Sequence, residues 1–468
     1  MNLDFLVSFF NSFLELGIPI IAPVLLFLLA IIFRVPLGRA VRAALTYGVG
    51  FIGIFLVLDL LLTALAGVAE RLATGVGVTF EVVDVGWPVL AAIAFAVPTF
   101  ATIFIGTLVV NIVMFILKWT KTLDIDFHNY YHWVVPATVV YFATDNLWAG
   151  TIVGLVNVVI TLKLADWTEQ DVAEWWDLPG ISIPHMSSIG QYPLSNLLDW
   201  VLDKIPGINK IRIDTKGLQE KIGVLGEPIA IGVILGILFG IGARMSVTDT
   251  LNMSMNLGAS MVLMPRMISL LMEGLVPVFT SARKWVLDRF PGYDFRVGLD
   301  AAVLVGKAEV LINGMVMVPI MVGLALILPG NRVLPFADLA VLSFFTMWAV
   351  GTNRGNLFRG IIIGTLLCAG FLYGSGFVAP TLTQMGTAAG FETDVADLYT
   401  SLEGGVITTS QWINVPIFML LGMNGWALAG LSVVFGAVAL WIFSKIKDLP
   451  KAHNDLTDAQ KQELFPNG

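Results

Sequence analysis

Long stretches almost free of charge dominate this chain, and they fix the solvent it can fold in. A hydrocarbon core about 30 Å thick needs roughly 20 apolar residues of helix to cross it. Runs of that kind lie near 14–33, 43–66, 89–117, 131–145 and 148–164, and again near 228–243, 251–275, 308–329, 335–351 and 358–379. A last run, 412–443, is longer than one crossing needs and is expected to bend or to follow a re-entrant piece. The sequence therefore predicts an all-α polytopic membrane protein with about eleven transmembrane helices. Composition agrees. Only 13% of the residues are charged, against about 25% in soluble domains, so much of the surface has to face lipid.

Several functions are excluded early. A formal net charge of −8 argues against nucleic acid, which needs clustered Lys and Arg. The single cysteine, Cys368, can form neither an internal disulfide nor a thiolate metal cluster, and is expected to be packed or lipid-facing. There is no P-loop, no HExxH and no paired-Cys pattern, so neither ATP, a metal nor another cofactor is expected. The opening MNLDFLVSFF lacks a basic n-region and a small-residue cleavage site, so the first run is expected to stay in the membrane.

Lys and Arg placement sets the orientation. Arg34/Arg39/Arg42, Lys118/Lys121, the stretch Lys204–Lys221, Arg283/Lys284/Arg289/Arg296, Arg354/Arg359 and Lys445/Lys447/Lys451 all fall on one side if the N-terminus is outside and the C-terminus cytoplasmic. The chain also repeats itself: Asn146-Leu147-Trp148-Ala149-Gly150-Thr151-Ile152-Val153-Gly154 reads like Asn356-Leu357-Phe358-Arg359-Gly360-Ile361-Ile362-Ile363-Gly364, and the same offset of 210 carries Gly48 onto Gly258. Five spans per half would set the halves in opposite orientations, as two inverted five-helix repeats with the substrate site between them.

The expected organisation is a first repeat over 1–164, a linking segment over 165–227, a second, inverted repeat over 228–411, a C-terminal transmembrane helix over 412–450 and a cytoplasmic tail over 451–468. Within the linker, Leu178–Ser188 is Pro/Gly-broken and re-entrant, and Ser195–Ile222 reads as a basic amphipathic segment at the inner surface.

Ionisable groups flanked by apolar runs are costly in a membrane, about 2.5–3.5 kcal/mol at a helix centre, and so mark candidate sites. Asp84 and Trp87, in Val82-Val83-Asp84-Val85-Gly86-Trp87-Pro88, either receive sugar hydroxyls and stack on a carbon chain or form a helix cap with an interfacial Trp. Asp300 opens an apolar run with Lys307 and Glu309 beyond it, which fits a salt bridge as well as a substrate contact. Glu227 opens a helix, where an acid also complements the dipole, and Glu273 ends a span. His185 lies in the broken segment, where an imidazole serves hydroxyls or a proton. His128 and His132 stand at i, i+4 without a third metal ligand, so packing beside Tyr130 and Tyr131 is the expectation there. These residues describe a transporter of a small polar solute, for which a proton or sodium ion bound at Asp84, Glu227 or Asp300 is one available drive.

Taken in order, Val83-Asp84-Val85-Gly86-Trp87-Pro88, Thr120-Lys121, Ile125-Asp126, Pro179-Gly180-Ile181-Ser182-Ile183-Pro184-His185, Val224-Leu225-Gly226-Glu227-Pro228, Gly298-Leu299-Asp300, Leu328-Pro329-Gly330-Asn331, Val333–Ala340 and Arg354-Gly355-Asn356-Leu357-Phe358-Arg359 resemble the galactitol family of phosphotransferase-system enzyme IIC permeases. The resemblance runs from about residue 18 to 443 and implies relatives of the ascorbate enzyme IIC fold. In such a fold a scaffold domain holds a mobile core, in a homodimer of the bacterial inner membrane. It further implies partners: a IIB protein carrying the phosphocysteine and a IIA protein that recharges it. The substrate-binding residues it implies are Asp84, Trp87, His185, Glu227 and Asp300, with Lys307, Glu309 and Glu273 as neighbours. One departure stands out. Where that family reads Gly-His, this chain has Gly306-Lys307, which opens the substrate to another polyol or a ketose.

Overall fold

The computed structural model describes residues 18–74, 81–84, 86–87, 90, 93–94, 97–124, 126–289, 295–335, 337–388, 403–405 and 413–449. The expected tail over 451–468 and the start of the first run lie outside these residues. Helices make up most of the fold. In the first half, α1 (Ile18–Ile32) and α2 (Leu37–Thr74) precede β1 (Val82–Asp84), α3 (Thr99–Ile116), β2 (Thr122–Asp124), a 3-10 turn (Phe127–Tyr130), α4 (Tyr131–Thr144), α5 (Leu147–Glu174) and β3 (Ile181–Ser182). The short helices α6 (Met186–Ile189), α7 (Tyr192–Asp203) and α8 (Thr215–Ile222) lead to α9 (Pro228–Gly242) and α10 (Val247–Arg289). There follow β4 (Arg296–Gly298), a 3-10 turn (Ala301–Leu304), α11 (Ala308–Ile327), β5 (Val333–Leu334) and a 3-10 turn (Ala337–Val341). The chain continues through α12 (Leu342–Gly351), α13 (Leu357–Ala388), β6 (Glu403–Gly405), α14 (Val415–Phe418) and α15 (Gly425–Ile446).

Among the described residues seven helices are long and apolar enough to cross a membrane: α2, α3, α5, α10, α11, α13 and α15. An eighth arises if Thr215–Leu225 and Pro228–Gly242, bent by 74°, count as one broken span. The apolar runs at 14–33, 131–145 and 335–351 hold instead the shorter α1, α4 and α12, of 15, 14 and 10 residues. Before α4 and α12 the chain runs as a strand and a 3-10 turn, spending on extended backbone the length a full helix would need. Such backbone suits a membrane protein only where protein covers it, and α12 is buried along its whole length. The run at 412–443 divides into α14 and α15. Cys368 is buried.

The all-α expectation omits two small parallel sheets, ordered β5–β1–β6 and β2–β4–β3. Each has at its centre a strand from one half of the chain, flanked by two strands from the other. Strands of two or three residues show no alternation for a sequence to betray. Side chains clamp the β4 sheet from α5. Asp166 accepts from Thr120 Oγ1 (2.9 Å), the Lys121 N–H (3.0 Å) and Thr122 Oγ1 (3.0 Å), while Glu169 pairs with Lys121 and Arg296. Asn111 of α3 completes the free edge of β2, donating to Thr122 O and accepting from the Asp124 N–H.

The offset of 210 recurs in the element bounds. Added to α1 it gives the bounds of α9, and it carries the first residues of α2, α5 and the Phe127 turn onto those of α10, α13 and the Ala337 turn. Packing recurs with it. A Cβ on Gly48 would stand 2.7 Å from Pro23, and one on Gly258 2.7 Å from Val233; a Cβ on Gly150 would meet α4 at Ala137, and one on Gly360 would meet α12 at Val350. Only glycine allows helices so close. At about 57 and 65 Å by helical rise, α2 and α10 are the longest elements. They lie against each other, with Gly50 on the Leu271 backbone and Gly274 on that of Tyr47.

The linker differs from a simple surface helix. α5 runs through residue 165 to Glu174. α7 turns its polar residues Ser195, Asn196 and Asp199 inward: Asn196 donates to Ile446 O, and buried Arg359 pairs with Asp199 (3.1 Å) and Asp203 (3.0 Å). α8 buries nothing, and the exposed Ile211, Ile213, Ile222, Val224 and Leu225 around it alternate with Lys and Arg.

Candidate functional site

The end of β1 delivers the first carboxylate. Gly86, at φ 83°, turns the chain so that its N–H reaches Asp84 Oδ1 at 3.2 Å. Asp84 Oδ2 accepts the N–H of Asp338 (2.7 Å), and Asp338 Oδ1 accepts the N–H of Trp87 (2.8 Å). Both carboxylates are fully buried, and the half-buried Trp87 indole is thereby oriented from its own backbone.

The second group is built on the β4 sheet. Asp300 follows β4 and caps the next 3-10 turn by accepting the Ala302 N–H at 2.6 Å. Its own N–H donates to Asp126 Oδ2 (3.1 Å). Behind Asp126, Asp124 Oδ1 accepts from the Asp126 N–H (3.1 Å) and Asn129 Nδ2 (3.0 Å). Burial holds the Asp124 carboxyl well above its usual range, and the charge of Asp126 adds to the rise. Towards the first group, His185 Nε2 lies 3.5 Å from Asp300 Oδ2 and 2.9 Å from His132 Nε2, and His132 Nδ1 lies 2.8 Å from Ser187 Oγ.

Aromatic rings join the two groups. Trp87 stands 6.3 Å from Tyr131, Tyr131 lies 3.8 Å from His132 with the rings tilted, and His132 meets His185 edge-on at 4.1 Å. A continuous band of side chains thus connects Asp84 and Asp338 to His185 and Asp300. It offers carboxylate acceptors, imidazoles that donate or accept, and an indole face: the inventory that grips a polyhydroxylated carbon chain.

Four of the expected residues, Asp84, Trp87, His185 and Asp300, fall on this band. Glu227 does not: it is the half-buried N-cap of α9, makes no side-chain cap bond, and has no hydrogen bond, ion pair or ring contact to the band. Lys307 points its Nζ over the Trp175 ring (5.8 Å), Glu309 accepts from Thr215 Oγ1, and Glu273 is exposed on α10. Asp124, Asp126, His132, Ser187 and Asp338 are on the band or directly behind it, and none of them is among the site residues expected from the sequence, which assigns His132 to packing beside Tyr130 and Tyr131. The i, i+4 pair His128/His132 was the one local signal, and only the fold brings His132 to a partner 53 positions on. Among the described residues no group of three or more His, Cys, Asp or Glu is arranged to hold a metal ion.

Known proteins resemble the chain over nearly all its length. A family model described as the PTS system sugar-specific permease component, EIIC-GAT, matches residues 12–397. A permease IIC component of Escherichia coli (strain K12), whose name states no sugar, is 35% identical over 440 residues, 93% of this chain and 97% of that one. The galactitol-specific EIIC component of the PTS system from the same strain is 31% identical over 428 residues, 92% of this chain and 94% of that one, as is its counterpart in Escherichia coli O157:H7.

Proposed function

The chain belongs to the EIIC-GAT family of phosphotransferase-system sugar-specific permease components, and on that premise we propose that it carries a sugar alcohol of the galactitol kind across the inner membrane for phosphorylation by a partner IIB protein. The observation that carries this reading is the buried band from Asp84 and Asp338 through Trp87, Tyr131 and His132 to His185 and Asp300. Asp84 and Asp300 accept hydroxyl hydrogen bonds, Trp87 packs against the carbon chain, and His185 orients or deprotonates the hydroxyl to be phosphorylated. In that step a sugar oxygen bonds to phosphorus, the phosphorus–sulfur bond of the IIB phosphocysteine breaks, and the hydroxyl proton passes to the imidazole. A IIA protein then recharges IIB.

The architecture follows the same reading. Two inverted repeats, 1–164 and 228–411, enclose the site, joined by the linker 165–227 and followed by the helix of 412–450. The N-terminus is outside and the C-terminus cytoplasmic, so the β1 sheet faces outward and the β4 sheet inward, and two copies form a homodimer. Strand exchange between the halves supports a site enclosed by the two repeats, because each sheet joins strands of both halves and carries one carboxylate pair.

Uptake of labelled galactitol and related polyols into vesicles, with and without phosphorylated IIB inside, tests the proposal. Accumulation only with the donor, as a phosphate ester, is the expected result. Accumulation of the free polyol, collapsed by an uncoupler, would overturn it in favour of an ion-coupled transporter.

A further inference from the structure

Two imidazole nitrogens 2.9 Å apart, His132 Nε2 and His185 Nε2, constrain each other more than any other contact in the band. One of them has to carry a hydrogen and the other a lone pair, since two N–H groups head-on repel and two lone pairs do not bond. Both rings are buried, at 2% exposure each, so water does not relieve the constraint. Ser187 fixes the far end of His132 at Nδ1, as donor or acceptor to suit, and Asp300 Oδ2 lies 3.5 Å from His185 Nε2.

We propose that His132 and His185 form a coupled pair holding one proton between their Nε2 atoms, and that His132 is the positioning residue that sets the protonation of His185. The contact survives when the pair is neutral and when it has gained one proton, because a neutral ring with its hydrogen on Nδ1 keeps its Nε2 free to accept from the other ring. It fails only when both rings are imidazolium. The pair therefore takes one proton, such as that released by a sugar hydroxyl on phosphorylation, without losing its geometry. The carboxylate of Asp300 offsets the resulting charge. The groups that face the pair are Asp300 after β4, Asp126 and Asp124 behind it, Tyr131 on α4 and Ser187 on α6. This inference rests on the proposed phosphorylation site for its use in transfer, but its central claim is measurable without any substrate.

The test uses the full chain, labelled with 15N-histidine in nanodiscs. Four histidines make the ring signals assignable. In the wild type, His132 and His185 titrate as one coupled system. Replacement by His132→Phe, which keeps a ring but no nitrogen, is expected to move the His185 midpoint by about one pH unit or more, and His132→Gln, which still donates, to move it less. In the vesicle assay His132→Phe is then expected to lower the phosphorylation rate about 10- to 100-fold and to shift its pH profile. An unaltered His185 titration in both variants overturns the pair. A wild type that makes no phosphate ester yet keeps the coupled titration overturns the proposed function and leaves the pair standing.

Discussion

The N–H of Asp338 donates to Oδ2 of Asp84 over 2.7 Å, tying the end of β1 to a turn 254 positions further along the chain. Its counterpart on the other sheet is the N–H of Asp300 held by Asp126. In each case an acid at the end of a central strand is bound to an acid beside a 3-10 turn of the opposite half. Any motion that slid one half of the chain past the other would break both ties and both sheets. The α2–α10 pair likewise takes one helix from each half of the chain.

Removing the Asp84 carboxylate strands two buried donors, the N–H groups of Gly86 and Asp338. Each orphaned group costs about 1–3 kcal/mol, so Asp84→Ala is expected to lower the thermal midpoint of the detergent-solubilised protein markedly. Asp84→Asn keeps one acceptor and should lose less. Equal melting of Asp84→Ala and wild type would show that the tie carries no stability.

The Arg359–Asp199 pair, at 3% and 2% side-chain exposure, locks the linker helix α7 under α13. Arg359→Ala leaves a buried carboxylate uncompensated, a loss of about 3–5 kcal/mol. Adding Asp199→Asn should recover part of that loss. A double-mutant cycle read by chemical or thermal melting measures the coupling, and additive losses would mean the two side chains act independently.

Much of this was legible in the sequence because its physics is local. Length and absence of charge announced α2, α3, α5, α10, α11, α13 and α15, and matched glycines at an offset of 210 pointed to contacts the fold contains. Asp84, Trp87, His185 and Asp300 stood out because acids, His and Trp are conspicuous in apolar surroundings. What the sequence hid depends on tertiary pairing. Strands of two or three residues have no period, and His132 and Asp338 acquire their partners only through contacts 53 and 254 positions apart. Glu227 lies outside the band, and its position has a physical reason of its own: at a helix N-terminus an acid is stabilised by unpaired N–H groups and the dipole.

Asp124 gives the fold a pH dependence. Desolvation by burial raises its carboxyl above the usual 3.8, and the charge of Asp126 acts in the same direction. An acid raised in the folded state contributes stability that is complete below its unfolded value and is lost as pH rises through the folded one. Wild-type melting temperature should therefore decline from about pH 4 upward more steeply than that of Asp124→Asn, which stays neutral and keeps the Oδ1 acceptor for Asp126 and Asn129. Parallel curves for the two proteins would contradict the assignment.

Asp300 and Glu227 separate a carboxylate in the band from one outside it. Asp300→Asn preserves an acceptor for the Ala302 N–H and so spares the turn, but it removes the negative charge 3.5 Å from His185 Nε2. On the proposed chemistry that charge stabilises the imidazolium of His185, so donor-dependent uptake should fall by about 100-fold, the lower end of what a general acid or base contributes. Glu227→Gln touches nothing in the band, so its uptake should stay within about twofold of wild type, as surface-type substitutions do. The comparison is made on reconstituted proteins of equal melting temperature, so that lost folding does not pass for lost chemistry. If Glu227→Gln were the inactive variant and Asp300→Asn the active one, the substrate would bind near the start of α9, and the band would be a structural tie between the two sheets.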